Sequence, residues 1–273
     1  DFRHQRVLYC CGKPSTGKSL LIQHCFSQVF GPELMSAVTL EAICKGGDEL
    51  RCLETSLVNI GNEINQTALK ETAVFNKIAD GDYFDAALKY DKARRIWPTC
   101  KHIFIGNFPP HWLRGSEAQA RRVLMLNFEQ VFDPIKANRT LRNKIIGEES
   151  GIFNWIIEGL FKLIELGDLP KGGADSIRLQ ESFRENIDPM KTFVESCCRL
   201  DPSLKTSTQE FTRAYEHWAE SRDIYIGAMA PVAVLRGLYG KDVIGRKQRR
   251  IDGKRIWHIT GIGLKLETAW DNV

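Results

Sequence analysis

The chain has 273 residues, 43% of them hydrophobic and 26% charged, with a formal net charge of +4. That length provides one large or two ordinary domains with a real core, and so small a charge does not by itself imply a nucleic-acid partner. No stretch offers the uninterrupted apolar length that a bilayer requires, since the nearest candidate, 151–167, carries Glu158, Lys162 and Glu165.

The chain opens without a basic-then-apolar signal segment. Its first apolar run begins a few residues after Asp1, so a fragment of something longer is expected. That run, Val7-Leu8-Tyr9-Cys10-Cys11, suits a strand of a parallel sheet buried on both faces. It leads into Gly12-Lys13-Pro14-Ser15-Thr16-Gly17-Lys18-Ser19, the G-x-x-x-x-G-K-S spacing of a phosphate-binding loop. Gly12 and Gly17 let the backbone turn tightly enough for loop amides to point at a polyphosphate. Lys18 is placed to reach the β- and γ-phosphates, and the Ser19 hydroxyl to hold Mg²⁺. Leu20, Leu21, Cys25, Phe26 and Val29 then recur at helical spacing, so the phosphate would meet a helix N-terminus. The eight cysteines contain no C-x-x-C spacing and four sit in apolar runs, which reads as reduced structural thiols of an intracellular protein.

Gly46-Gly47-Asp48 predicts a turn, and Ser56 to Glu63 an apolar strand ending in an acid. Behind a phosphate loop, Glu63 fits a general base near the γ-phosphate. Asn62 stands where a second, metal-holding carboxylate often lies, which shifts Mg²⁺ binding toward Ser19 and the phosphates. Residues 65–78 predict a helix. Residues 81–90 and 95–99 then predict the two arms of a hairpin whose tip carries Lys89, Lys92 and Arg94. His102 to Asn107 predicts another buried strand, ended by Pro109-Pro110, and its terminal Asn107 is placed to orient a lytic water. Arg121 and Arg122 stand at the mouth of a fourth apolar strand, 123–128, where an arginine could act on a neighbouring subunit's nucleotide.

Pro170-Lys171-Gly172-Gly173 marks 171–186 as a linker between a core, 1–170, and a second domain, 187–273. Within the latter, 190–200, 207–222 and 231–239 predict helices. The second opens with the capping box Ser207-Thr208-Gln209-Glu210, and the third has Pro231 in its first turn. Arg246, Lys247, Arg249, Arg250, Lys254 and Arg255 flank the hairpin signal Asp252-Gly253, with Trp257 expected in the core. Three helices closed by a basic hairpin predict a winged helix, its cations suited to DNA phosphates.

The order of these pieces resembles the superfamily 3 helicases, most closely the branch found in phage and plasmid primase–helicases and in poxvirus-type primase–helicases. The likeness rests on the phosphate loop, the Asn62-Glu63 strand end, the Asn107-x-x-Pro110 strand end and Arg121-Arg122. Glu149-Ser150-Gly151-Ile152-Phe153-Asn154-Trp155 is similar to that branch's helical lid, and Phe183 to Pro189 to its entry into the last domain. The resemblance implies an α/β, AAA+-like core with a parallel sheet and helical lid, followed by a small C-terminal winged-helix domain. It implies an ATP- and Mg²⁺-dependent replicative DNA helicase that moves on single-stranded DNA as a ring, hexameric in the full-length protein, with a primase or primase–polymerase module upstream. Its source would be a phage, plasmid or virus, acting inside the host cell. Glu63 would be the catalytic acid, Asn107 the water sensor, Arg122 or Arg121 the residue reaching the adjacent subunit, Lys77 a second trans-acting candidate, and the hairpin tip with Lys89, Lys92 and Arg94 the part that grips DNA in the pore. The family's Gly-Gly-Asp is replaced here by Asp80-Gly81-Asp82. The alternative is an initiator or loader that binds origin duplex and uses ATP as a switch. A small-molecule kinase would leave Asn107, the double arginine and the C-terminal domain unexplained.

Overall fold

The computed structural model describes the chain except for residues 1, 63–68, 70–71, 87–93, 113–114, 134, 136–137, 139, 171, 223, 225, 227–229, 252–253 and 266–273. The described residues divide into two compact units, one of 1–110 with 117–184 and the other of 111–116 with 185–273.

The first unit opens with strand β1, Val7–Cys11, as its apolar run predicts. After the glycine-rich turn a π-helical stretch, Leu20–Cys25, runs directly into α1, Phe26–Phe30. Strand β2 (Met35–Ser36) and helix α2 (Leu40–Lys45) come next, with Thr39 Oγ1 accepting from the Ala42 amide as the cap. Then come β3 (Val58–Asn62), α3 (Ala73–Asp80) and the short strands β4 (Phe84–Ala86) and β5 (Arg94–Ile96). Strand β6 (Lys101–Gly106), α4 (Glu117–Ala120), β7 (Val123–Asn127), α5 (Leu141–Ile145) and α6 (Glu149–Leu166) complete the order up to α7, Ala174–Glu185.

Five strands form one parallel sheet in the order β2-β3-β6-β1-β7, with β4 and β5 pairing separately as an antiparallel ribbon. This is the mixed α/β, parallel-sheet architecture expected. β1 lies inside the sheet, and its side chains alternate between two covered faces. Cys10 packs with Ile22, Val58, Ile60, Ile103 and Ile105, while Tyr9 and Cys11 are buried on the other side. Asn59 is wholly buried and ties down the chain after β2. Its side-chain oxygen accepts from Ser36 Oγ and Val38 N, and its amide nitrogen donates to Val38 O.

The segment 171–186, expected as a linker, is helix α7 for most of its length. Only Pro170 to Gly173 carries the turn composition, and the helix after it has an edge strand to cover. β7 ends the sheet, so the amides of Met125 and Asn127 point away from β1. Gln180 Oε1 accepts from Met125 N at 2.8 Å and Ser176 Oγ from Asn127 N at 3.0 Å. Two side chains four apart on one helix thus satisfy the outward donors of the edge.

α6 corresponds to the amphipathic segment around 151–167, yet none of its residues is fully buried, and Phe153, Leu160, Phe161 and Ile164 are exposed.

In the second unit, α8 (Pro189–Cys197) starts on Asp188, whose carboxylate accepts from Lys191 N. α9 (Thr208–Glu220) starts on Ser207, whose hydroxyl accepts from Glu210 N, as the capping box predicts. α10, Pro231–Tyr239, has proline at its first position. The helix expected to reach residue 200 ends at Cys197 and gives way to β8, Cys198–Ser207. β8 pairs with β10 (Lys254–Leu264), which also pairs with β9 (Gly245–Ile251), giving the order β8-β10-β9. Phe193, Phe211, Tyr215 and Trp218 from the helices pack with Ile259 and Ile262 of the sheet.

Candidate nucleotide site

The loop from Gly12 to Lys18 leaves β1 at its C-terminal end. Gly12 has φ +151°, and a Cβ there would run into the Phe128 carbonyl oxygen. Only glycine lets the first loop residue lie this close to the neighbouring strand's continuation. Ser15, at φ +62°, is one of two described non-glycine residues with positive φ, so the loop holds a conformation its sequence does not favour locally.

Lys18 is 6% exposed and folds back into the loop. Its ammonium donates to the carbonyls of Gly12 (2.5 Å) and Lys13 (2.7 Å) and to Thr16 Oγ1 (3.0 Å), and Thr16 in turn donates to Lys13 O. All three ammonium protons are therefore engaged. Burial holds the Lys18 pKa below the usual lysine value, against the opposing pull of the Cys11 and Cys10 thiols. Those thiols are themselves inert, pushed up by burial to about 11 for Cys11 and about 12 for Cys10. All eight cysteines are free thiols.

Across from the loop, β3 ends in Asn62 and β6 is followed by Asn107. Both line a cavity of about 510 Å³ together with Ser15, Lys18, Ser19 and Leu20 of the loop and its helix. Gly106 floors it, because a Cβ there would collide with the Tyr9 hydroxyl, which donates to Phe108 O. Residues far apart in sequence thus meet at one end of the sheet. Pro14, Thr16 and Gly17 also line the cavity, whereas exposed Lys13 does not. Glu63, the expected general base, directly follows Asn62 and lies outside the described residues.

The expected trans-acting residues stand elsewhere. Arg122 is 7% exposed and committed within its own chain. Its Nε and one terminal nitrogen donate to the two oxygens of Asp80 at 2.9 and 2.6 Å, and the other donates to Ala118 O at 2.8 Å. A guanidinium forked onto a carboxylate is not free to reach another subunit, so Arg122 is corrected from finger to buried strut. Arg121 is exposed. Lys77 is exposed in the last turn of α3, its ammonium 5.8 Å from the Tyr83 ring centroid, and does not line the cavity.

Of the expected DNA contacts, Lys89 and Lys92 lie outside the described residues. Arg94 is the first residue of β5 and pairs with Glu54 at 2.8 Å. Arg246, Lys247, Arg249 and Arg250 are all exposed on β9, an outer strand of its sheet. Trp257, expected in the core, is 41% exposed under the Arg246 guanidinium, 4.0 Å from the ring centroid. Trp257 shares its face of β10 with buried Ile259, but its ring is covered by the Arg246 side chain and does not join the core cluster.

Among the described residues no cluster of three or more His, Cys, Asp or Glu could cage a metal ion, and no helix is long and apolar enough to cross a membrane. The side-chain oxygens lining this cavity among the described residues, those of Ser15, Thr16, Ser19, Asn62 and Asn107, are all neutral, a set suited to Mg²⁺ that arrives with phosphate oxygens.

The profile of a family described as a family of unknown function (DUF5906) matches residues 10–122. No curated protein matches the chain. Among solved structures, the A-form apo structure of the NrS-1 C-terminal region is similar at 14% identity and a TM-score of 0.42, covering 95% of this chain and 67% of that one. An apo structure of the same NrS-1 region gives 13% identity and a TM-score of 0.39 over 95% of this chain and 68% of that one. A JCV helicase with a bound acetamide compound gives 13% and 0.34, covering 70% and 56%.

Proposed function

We propose that the first unit is an ATP hydrolase of the superfamily 3 helicase type and that the chain is the motor part of a DNA replication protein. One observation carries the reading. A phosphate loop at the end of an inner strand faces Asn62 and Asn107, from the ends of two neighbouring strands, across a single cavity. In this reading the triphosphate exchanges places with the loop oxygens that hold Lys18, which then pairs with the β- and γ-phosphates. Bound Mg²⁺ neutralises phosphate charge, with Ser19 and Asn62 as the protein groups nearest to it. The Asn107 amide orients the attacking water, and Glu63 takes its proton. The cation from an adjacent subunit falls to Arg121, with Lys77 as the second candidate. The second unit serves as a winged-helix DNA-binding domain through the β9 cations, and a primase-type module and ring assembly belong to the full-length protein.

The exposed β9 cations and the amide of Asn62 in place of an acid favour, as the second reading, an initiator or loader on origin duplex that uses ATP as a switch. ATP hydrolysis tests the first. The wild type is expected to turn over ATP with stimulation by single-stranded DNA, and Lys18→Ala and Glu63→Gln each to lower the rate by about 10²–10³. Unaltered rates in both variants would refute it. Strand displacement on forked DNA separates motor from loader.

A further inference from the structure

If a triphosphate lies in the loop, as the nucleotide reading on which the proposal rests requires, its direction is set by the sheet order. Asn62 and Asn107 terminate β3 and β6, which lie on one side of β1. The terminal phosphate therefore points toward β3 and β6, and the sugar and base leave the loop on the opposite side, toward β7. There the chain beyond β7 is pinned against the loop. Phe128 N donates to Cys11 O at 2.8 Å, the Phe128 carbonyl fills the space beside Gly12, and Phe132 N donates to Ser15 O at 2.9 Å. These bonds station the Phe132 ring next to the loop, its edge 3.8 Å from where a Cβ on Gly17 would stand. Yet the residue is 53% exposed, and Val131 beside it 47%.

We propose that Phe132 is the platform on which the nucleobase stacks. An aromatic ring fixed by its own backbone, half open to solvent and on the base side of a phosphate loop meets the requirement of a π-surface held at low entropic cost. The polar side chains of the same segment are occupied locally. Asn127 Nδ2 donates to Glu129 Oε1, Gln130 Nε2 to Val131 O, and the Asp133 carboxylate accepts from Ile135 N. Each of these side chains thus makes a local bond, and stacking on a ring is tolerant of the base's hydrogen-bond pattern, so the platform reads ring area. Purine nucleotides are accepted alike, and pyrimidines bind more weakly.

The test is calorimetric titration of the whole chain with ATP, GTP, CTP and inorganic tripolyphosphate, each with Mg²⁺. ATP and GTP are expected within about threefold of one another and both tighter than CTP and tripolyphosphate. Phe132→Ala is expected to weaken ATP about tenfold while leaving tripolyphosphate unchanged, and Phe132→Trp to retain ATP. A loss of tripolyphosphate equal to the loss of ATP would mean that the ring merely shapes the loop, and would overturn the proposal. So would a wild type that binds ATP no better than tripolyphosphate. A change in mass by light scattering at an unaltered ATP-to-tripolyphosphate ratio would assign the ring to contact between copies instead. A wild type that binds neither compound removes the nucleotide reading itself, and the platform with it.

Discussion

Two regions of the molecule present cations in opposite ways. In the first unit, Lys18 beyond the C-terminal end of β1 and Arg122 before the N-terminal end of β7 are both buried, and their donors are taken up by the loop carbonyls and by the Asp80 fork. On β9, Arg246, Lys247, Arg249 and Arg250 stand exposed on an outer strand. The same residue types therefore perform different physical work. A buried cation is held in one geometry, so it fixes structure or meets a ligand group at a set position. An exposed row of cations, even with Arg246 laid over the Trp257 ring, acts mainly through the summed field it offers to a polyanion. The first kind is costly to remove for the fold, the second only for binding.

Arg122 gives the largest effect. Arg122→Ala leaves the Asp80 carboxylate largely buried and unpaired, and is expected to destabilise the first unit by about 3–5 kcal/mol, read by denaturant unfolding. Asp80→Ala should cost a similar amount from the other side. The double change Arg122→Met with Asp80→Leu should recover most of the loss, because an apolar pair removes both desolvation penalties. If Arg122→Ala leaves stability untouched, Arg122 is free after all and the contrast between the regions fails on its buried side.

On the exposed side, Arg249→Ala with Arg250→Ala is expected to shift unfolding by no more than about 0.5 kcal/mol, as surface changes usually do. Its effect should instead fall on DNA affinity, where the slope of log K against log salt should become shallower by nearly two. Fluorescence anisotropy with a short duplex and a short single strand over a salt series reads that slope. An unaltered slope would return these cations to the simpler role of preventing edge pairing.

What the sequence made legible came from local geometry. Val7 to Ser19 shows strand, loop and helix start because each needs particular residues at particular spacings, and His102 to Asn107 shows its strand because it is apolar and bounded by Pro109-Pro110. Ser207 shows its helix start for the same reason, through one side chain and an amide three residues on. The rest depends on partners far along the chain. Arg122 reads as a reaching arginine until Asp80, 42 residues earlier, is seen beneath it. Ser176 and Gln180 read as linker polarity until β7 is seen to lack a neighbour on that side. β8 is hidden because Pro202 and the turn formed by Asp201 and Ser203 interrupt its pattern, and its partner β10 lies far along the chain. Phe132 carries no local signal, since one phenylalanine in a polar loop has none.

His102 extends the contrast to a base that keeps its place by losing its charge. It is wholly buried in β6, its ring nearly parallel to that of Phe104, its Nε2 3.8 Å from the Cys100 sulfur and its Nδ1 without a hydrogen-bond partner. Burial, aided by the Lys101 charge, brings its pKa down to about 3 from an ordinary 6.5. Between those values the unfolded chain binds a proton that the folded chain refuses. Stability therefore falls as pH drops through 6.5, by about 1.4 kcal/mol per unit, until the buried ring itself titrates near pH 3. His102→Phe removes that slope together with the unpaired Nδ1. At pH 7 the variant should be equal to the wild type or more stable, and its advantage should grow by about 2 kcal/mol on going to pH 5. Unfolding of the first unit at both pH values measures this. Parallel pH profiles would mean that the folded imidazole titrates at its ordinary value, and that water reaches the middle of the sheet.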